Sequence, residues 1–220
     1  MLKRDYLMRS IQVFTETMMQ MMKLRLEHRH DEAFALIDQT GQQLFKLNAQ
    51  MISKLSSQTL IDMLDTPDDS GARLCLMLAQ LIHEQAANYE AKGDLIMSAP
   101  LYLKALQIDI GMLVFRISDI SEEQAAQVSS LLEKLDVLEL PADTRYNLFH
   151  YFGKRGQYAH AEDTLFDLLD TDEATAPQLL EDGIAFYERL QRQSDADLIA
   201  GDLPRAEVES ALQELIMRRT

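Results

Sequence analysis

The sequence is poor in the residues that form disulfides, turns and β-structure. Its 220 residues include one cysteine, five prolines, eight glycines and no tryptophan. A single cysteine cannot form a disulfide within the chain, which excludes a disulfide-stapled fold. The sequence also lacks the alternating apolar runs between turn signals that strands require. Residues that favour helices are abundant instead, and the composition predicts an all-α protein.

Long hydrophobic runs are missing as well. No stretch approaches the roughly 18 consecutive apolar residues of a membrane span, so we expect none. The first residues lack the continuous apolar core and the cleavage site of a secretory signal. Together with the single cysteine, these features favour a cytoplasmic location. Cys75 lies in an apolar helical stretch, and we expect it to be a small core residue.

Basic residues are scarce. The chain has 21 Lys or Arg against 36 Asp or Glu, a net charge of −15. A surface of this sign repels phosphates, which disfavours binding to nucleic acid. The charge is also uneven, since residues 1–30 carry a net +3 while residues 162–182 hold eight acids and no basic residue. The charge therefore favours a basic or polar partner.

The sequence contains no pattern typical of a catalytic, nucleotide or metal site. Neither GxGxxG nor GxxxxGK[ST] occurs. His83 and Glu84 begin like a metalloprotease helix, but Ala87 stands where the second histidine is required. His28 and His30 lie near a helix joint without the further Cys or His ligands that zinc prefers. We therefore expect no enzyme activity, no cofactor and no metal.

The clearest local pattern is a helical hairpin over residues 81–110. Before Gly93, small or apolar residues recur at the spacing of one helix face, namely Leu78, Ile82, Ala86 and Tyr89. Gly93 suits the left-handed residue that ends a helix. Pro100 suits a first helical turn, so we expect Ser98 to cap a second helix that begins near Ala99. The short joint predicts antiparallel packing.

Three segments resemble tetratricopeptide-type repeats. The positions that carry the resemblance in the first segment are Ala86, Tyr89, Gly93, Ser98, Tyr102 and Ala105. In the second they are Phe149, Phe152, Gly156, Tyr158, Ala161, Leu165 and Leu168, and in the third Met21, Leu24, His28, His30, Ala33 and Ile37. The joints at residues 28, 93 and 156 are 65 and 63 residues apart, near twice the roughly 34-residue period of this family. The resemblance implies a right-handed superhelix of stacked hairpins. The helix start and stop signals along the chain predict eleven or twelve helices.

The whole chain is also similar to an uncharacterised bacterial family that begins MLKRDY and carries a GQYxxAEDxLF segment. This second resemblance implies no activity. The segment at residues 66–71 is the clearest loop. We expect it to separate N-terminal helices in residues 1–66 from the tetratricopeptide-like array in residues 71–220, with both parts forming one continuous unit.

The repeat resemblance implies a binding surface, because in that family the first helix of each hairpin lines a concave groove. The candidate side chains on those helices are His83, Glu90, Asp143, Tyr146, His150, Glu181 and Glu188. They predict an acidic face with aromatic anchors that holds a basic or polar peptide. Our leading hypothesis is a non-enzymatic scaffold that binds a protein or peptide on this face.

The first helix supports an alternative. Six of the twelve methionines fall in the first 22 residues, and an apolar stripe follows residues 3–28, namely Leu7, Ile11, Phe14, Met18 and Met21. Methionine adapts to irregular surfaces, so this stripe either packs on the next helix or forms an association surface. The alternative hypothesis is therefore a self-associating structural protein, a homo-oligomer through helix 3–28. The basic N-terminus and the acidic remainder would suit such contact.

Overall fold

The computed structural model describes the backbone of residues 2–66, 68–171 and 176–219, with side chains from residue 10 onwards except at residues 69 and 176. Within these ranges the chain forms twelve α-helices and no strand. The predicted all-α class is therefore confirmed. Leu7, one member of the stripe predicted in the first helix, lies outside the described side chains.

The chain forms two compact units, Met1–Leu138 and Glu139–Thr220. The helices of the first unit are α1 (Leu2–Leu26), α2 (His30–Phe45), α3 (Ala49–Lys54), α4 (Ser57–Leu64), α5 (Asp69–Ala91), α6 (Leu95–Phe115) and α7 (Glu122–Leu135). Those of the second are α8 (Ala142–Arg155), α9 (Tyr158–Thr171), α10 (Ala176–Leu190), α11 (Asp195–Ala200) and α12 (Arg205–Arg219). Residues 69–71 of the predicted loop at 66–71 belong to α5 instead. The segment lies inside the first unit, where α4 packs against both α5 and α6.

The three predicted hairpin joints coincide with residues of left-handed backbone conformation. His28 has a φ of 57°, Gly93 of 81° and Gly156 of 74°. Glycine adopts this conformation without the steric cost of a Cβ. The helix pairs α1–α2, α5–α6 and α8–α9 pack against each other across these joints. The sequence thus predicted the hairpins correctly, while their stacking into a superhelix stays a prediction.

The start of α6 differs from the prediction. Asp94, rather than Ser98, caps the helix, and its carboxylate accepts a hydrogen bond from the Met97 amide at 3.1 Å. Aspartate caps helices as well as serine does, and it satisfies a first-turn amide that has no partner within the helix. Pro100 consequently lies inside α6. Ser98 is buried, and its hydroxyl donates to the Leu95 carbonyl at 3.3 Å.

Helix α6 is the centre of the first unit. Leu106, Ile108 and Ile110 on different sides of the helix are all fully buried, as expected for a helix that is apolar around its circumference. It packs against α4, α5 and α7. By length and composition alone it is also the one described helix that could cross a membrane. However, 61% of its most apolar 18-residue stretch is buried within the structure. A buried core helix has the same composition, so this feature does not establish a membrane span.

Several polar side chains of the first unit are buried or half-buried where α1 and α2 meet α5. The Arg25 guanidinium lies 3.3 Å from the buried Glu84 carboxylate. The His30 ring and the Asn88 side chain are joined by a 2.7 Å hydrogen bond, and the Asn88 amide donates to the His30 carbonyl at 3.0 Å. Cys75 is also fully buried, and burial raises the pKa of its thiol to about 12. The prediction that Cys75 is a core residue is confirmed.

The core of the second unit forms around α10. Its largest fully buried side chains are Phe149 and Tyr187. Gly183 of α10 is also central, since a Cβ there would lie 2.8 Å from Leu215 and 2.9 Å from Leu165. The missing side chain therefore lets α9 and α12 approach α10 closely.

Candidate functional site

The predicted site residues of the first unit take part in contacts between α5, α6 and α7. His83 lies with its ring centroid 5.5 Å from that of Tyr102. Burial, together with the charges of Arg25 and Lys134, lowers the pKa of His83 to about 4. A pKa this low keeps the imidazole neutral at pH 7, so His83 adds no charge to the predicted face.

Glu90 is similarly engaged. Its carboxylate accepts hydrogen bonds from Lys134 at 2.7 and 3.0 Å and from the Tyr102 hydroxyl at 2.5 Å. Burial raises the pKa of Glu90, but the Lys134 and Tyr102 hydrogen bonds and the nearby cations outweigh it and hold the pKa below its usual value. The negative charge of Glu90 is thus balanced by Lys134 within the chain.

In the second unit the structure brings Tyr146 and His150 together, with their ring centroids 4.7 Å apart. Their companion is Asp182 of α10, which the sequence reasoning missed. Its carboxylate accepts a 2.5 Å hydrogen bond from the Tyr146 hydroxyl. Burial and this hydrogen bond raise the pKa of Tyr146 to about 12. Burial also lowers the pKa of His150.

The remaining predicted residues do not join this cluster through any described contact. Glu181 is exposed and lies 3.4 Å from Arg219 of α12. Glu188 and Asp143 are exposed, and the Asp143 carboxylate accepts a hydrogen bond from the Thr144 amide at 2.7 Å. The predicted set is therefore spread over two units and several contacts.

The burial pattern of α10 explains why Asp182, rather than the predicted Glu181, joins the cluster. Leu179 is buried, whereas Leu180 is only half-buried. Gly183 belongs to the buried face but carries no apolar side chain that would mark it. Because the buried face of α10 is centred on Leu179 and Gly183, Asp182 flanks the core and Glu181 points to solvent.

The structure contains an acidic groove that was not predicted at this place. It lies between α9 and α12 and has a volume of about 410 Å³. We define it by four carboxylates and one aromatic ring, those of Glu162, Asp163, Glu207, Glu214 and Phe166. Ser210 and Ala211 complete its lining, so the lining holds no basic residue. The run of acids from residue 162 was a sequence signal for its α9 side.

The like charges in the acidic groove influence each other. Burial raises the pKa of Glu162, and the nearby carboxylates of Glu207, Asp163 and Glu214 raise it further, against the 2.7 Å hydrogen bond from Tyr187. Among the described residues, the side-chain carboxylates of Asp163 and Glu207 have no ion-pair or hydrogen-bond partner. A cation that entered the groove would relieve this repulsion.

One end of the acidic groove shows how such a cation is held. Arg218 of α12 lies above the Phe166 ring, with its guanidinium carbon 5.3 Å from the ring centroid. The same guanidinium contacts Glu214 at 2.8 Å and Asp170 at 3.2 Å. The combination of an aromatic face and carboxylates is the ordinary setting for a bound guanidinium or ammonium group.

Helix α1 presents a second surface feature. Phe14 and Met21 of the predicted stripe pack inward, together with Leu24. On the opposite side of the helix, Met19 and Leu26 are 60% and 77% exposed. Met22, on the same side, is 44% exposed. Helix α1 thus carries a second apolar stripe that the sequence reasoning did not separate from the first.

No group of three or more His, Cys, Asp or Glu side chains is placed to hold a metal ion in the part of the chain that the structure describes. The chain matches the model of a family whose function is unknown over residues 1–220. Neither the curated proteins nor the solved structures contain a significant match to the chain.

Proposed function

We propose a function from geometry, because the chain belongs over its whole length to DUF6483, a family of unknown function, and membership brings no activity with it. The proposed function is that of a non-enzymatic protein that binds a basic segment of a partner protein in the acidic groove. The observation that carries the proposal is the convergence of four carboxylates in a lining without a basic residue, with Arg218 present only at one end, over Phe166 and beside Glu214. Residues 139–220 as a whole carry a net charge of −9. This charge would steer a basic partner towards the second unit.

The contact of Arg218 with Phe166 and Glu214 supports the choice of ligand. An arginine or lysine of a partner could make the same contacts further along the groove, with Asp163 and Glu207 as its counter-ions. Within the part of the chain that the structure describes, these two carboxylates have no partner, whereas Glu90 of the predicted face is already paired with Lys134. The proposed site therefore lies on α9 and α12, while the predicted partner class, a basic protein or peptide, is kept.

A titration with labelled peptides tests this proposal. We expect a peptide with alternating arginine and glycine to bind the protein, and a peptide with glutamate in place of arginine not to bind. Glu207→Gln/Glu214→Gln removes two groove charges at nearly constant shape, and we expect about 5- to 20-fold weaker binding. Fluorescence anisotropy at 50 mM salt gives the dissociation constants.

The matched control is Glu188→Gln/Glu209→Gln, which removes the same charge from exposed positions outside the groove. It should weaken binding less than about twofold, because exposed charges that do not line the groove make no close contact with the bound peptide and are screened by solvent and salt. Equal losses in the two double variants would contradict the proposal, since binding would then depend on net charge alone.

We also propose that the hairpins α1–α2, α5–α6 and α8–α9 are divergent tetratricopeptide-like units. Two observations support the idea, namely the left-handed joint shared by all three and the small buried residues Ala86, Ala105 and Ala161 at positions that carry the resemblance. The proposed groove does not depend on this relationship, because α9 and α12 belong to one unit.

The second apolar stripe on α1 favours self-association as a second candidate function. Met19, Met22 and Leu26 form an exposed apolar row beside Lys23, and the basic N-terminal segment would complement an acidic second copy. We expect the protein to be a dimer at 100 µM, and Met19→Gln/Met22→Gln to shift it to monomer, by sedimentation velocity. A wild-type protein that stays monomeric at this concentration would exclude this candidate.

A further inference from the structure

A separate cavity in the first unit surrounds a buried carboxylate. It has a volume of about 340 Å³ and lies between α5, α6 and α7. Its lining consists of two leucines and six polar residues, namely Leu76, Leu113, Gln80, Asp109, Ser121, Glu123, Gln124 and Gln127. This size is at the lower end of the range for small-molecule sites, and the mixture of apolar walls and a few polar groups is typical of them.

Asp109 has fewer partners than a buried charge requires. Its side chain is 3% exposed. Within the described part of the chain, the carboxylate accepts one hydrogen bond, which the side-chain amide of Gln127 donates to Oδ2 at 3.2 Å. No basic side chain lines the cavity. Buried carboxylates are normally paired with a cation or a metal, so the missing partner points to a ligand that supplies the positive charge.

The other polar groups restrict the class of ligand. Glu123 at the mouth is the only further ionisable group in the lining, and it disfavours anions. The first turn of α7 would attract an anion, but the Ser121 hydroxyl and the Gln124 side chain already occupy two of its amides at 3.2 and 2.9 Å. Two carboxylates and an apolar wall also provide a poor ligand set for a divalent metal ion.

We propose that this cavity binds a small organic ammonium ion, with Asp109 as its counter-ion and Leu76 and Leu113 against its carbon chain. The Gln80 side chain makes no hydrogen bond among the described residues, and its carbonyl oxygen can accept a second N–H of the ligand. The site lies in the first unit and is independent of the acidic groove in the second.

Calorimetric titration of the full chain tests the proposal, with butylammonium, benzylammonium and 1,4-diaminobutane as probes at pH 8. We expect at least one of them to bind with a dissociation constant below about 1 mM. Asp109→Asn keeps the size and one acceptor but removes the charge, and we expect about 10- to 100-fold weaker binding. Glu123→Gln at the exposed mouth should cost about threefold.

Three results would overturn the proposal. One is that none of the three ammonium ions binds the wild-type protein at millimolar concentration. Another is that butanol or butanoate binds as tightly as butylammonium, since the charge would then play no part. The last is unchanged affinity in Asp109→Asn, provided that its circular dichroism and thermal unfolding show a folded protein.

Discussion

Replacing Asp109 with asparagine is expected to raise the free energy of unfolding by about 2 to 4 kcal/mol at pH 8. The carboxylate is buried without a cation, and burial raises its pKa to about 7. An aspartate in the unfolded chain has a pKa of about 3.9. The folded protein therefore holds this proton more tightly than the unfolded chain, and the ionised carboxylate destabilises the fold.

The direction of the pH dependence follows from these two pKa values. Because the folded state binds the Asp109 proton up to a higher pH, this group lowers stability as the pH rises from about 4 to about 7. The asparagine variant does not undergo this loss. Its advantage should therefore be greatest at pH 8 and fall to about half at pH 5.5.

Urea denaturation followed by far-ultraviolet circular dichroism measures the free energy of unfolding of both proteins at pH 5.5 and pH 8. A stability that is equal in the two proteins at pH 8 would show that Asp109 is well solvated or paired. If the gain appears together with the loss of ammonium binding, the carboxylate is kept at the expense of stability, as is common for functional groups.

Replacing Arg25 with methionine is expected to lower the free energy of unfolding by about 2 to 4 kcal/mol at pH 7. The Arg25 guanidinium is the ion-pair partner of Glu84, whose side chain is 7% exposed. Burial raises the pKa of Glu84, and only the charge of Arg25 opposes this effect. Without Arg25 the carboxylate stays buried unpaired or takes up a proton, and either outcome costs free energy.

The double variant Arg25→Met/Glu84→Met is the control for this prediction. Removing both charges avoids the unpaired carboxylate, so most of the lost stability should return. At pH 5 the single variant should also lose less, because Glu84 then protonates more easily. If the double variant were as unstable as the single one, the loss would come from the packing of the arginine stem rather than from the charge.

Much of the fold could be predicted from the sequence because the helices have strong local signals. Gly93 and Gly156 mark two joints by residue type, and the Ser121 and Gln124 capping box marks the start of α7. The start of α6 was predicted wrongly, because Asp94 and Ser98 are both acceptable caps. Local chemistry does not decide between them.

The candidate sites depend on tertiary contacts, and the sequence indicated them only in part. The acids of α9 were visible as a run, but Glu207 and Glu214 join them only when α9 and α12 both pack on α10. Asp109 lies in the apolar helix α6, and its sequence neighbours indicate only a residue at the edge of the core. Its burial and its cavity follow from the position of α7.

The most direct test of the proposed function is to map the binding of the arginine–glycine peptide by heteronuclear NMR of the full chain. We expect the largest amide shift changes in α9 and α12, around Asp163, Phe166 and Glu207. We also expect these changes to disappear in Glu207→Gln/Glu214→Gln. Shift changes centred on Tyr146 and His150, or spread evenly over the acidic surface, would contradict the proposed site.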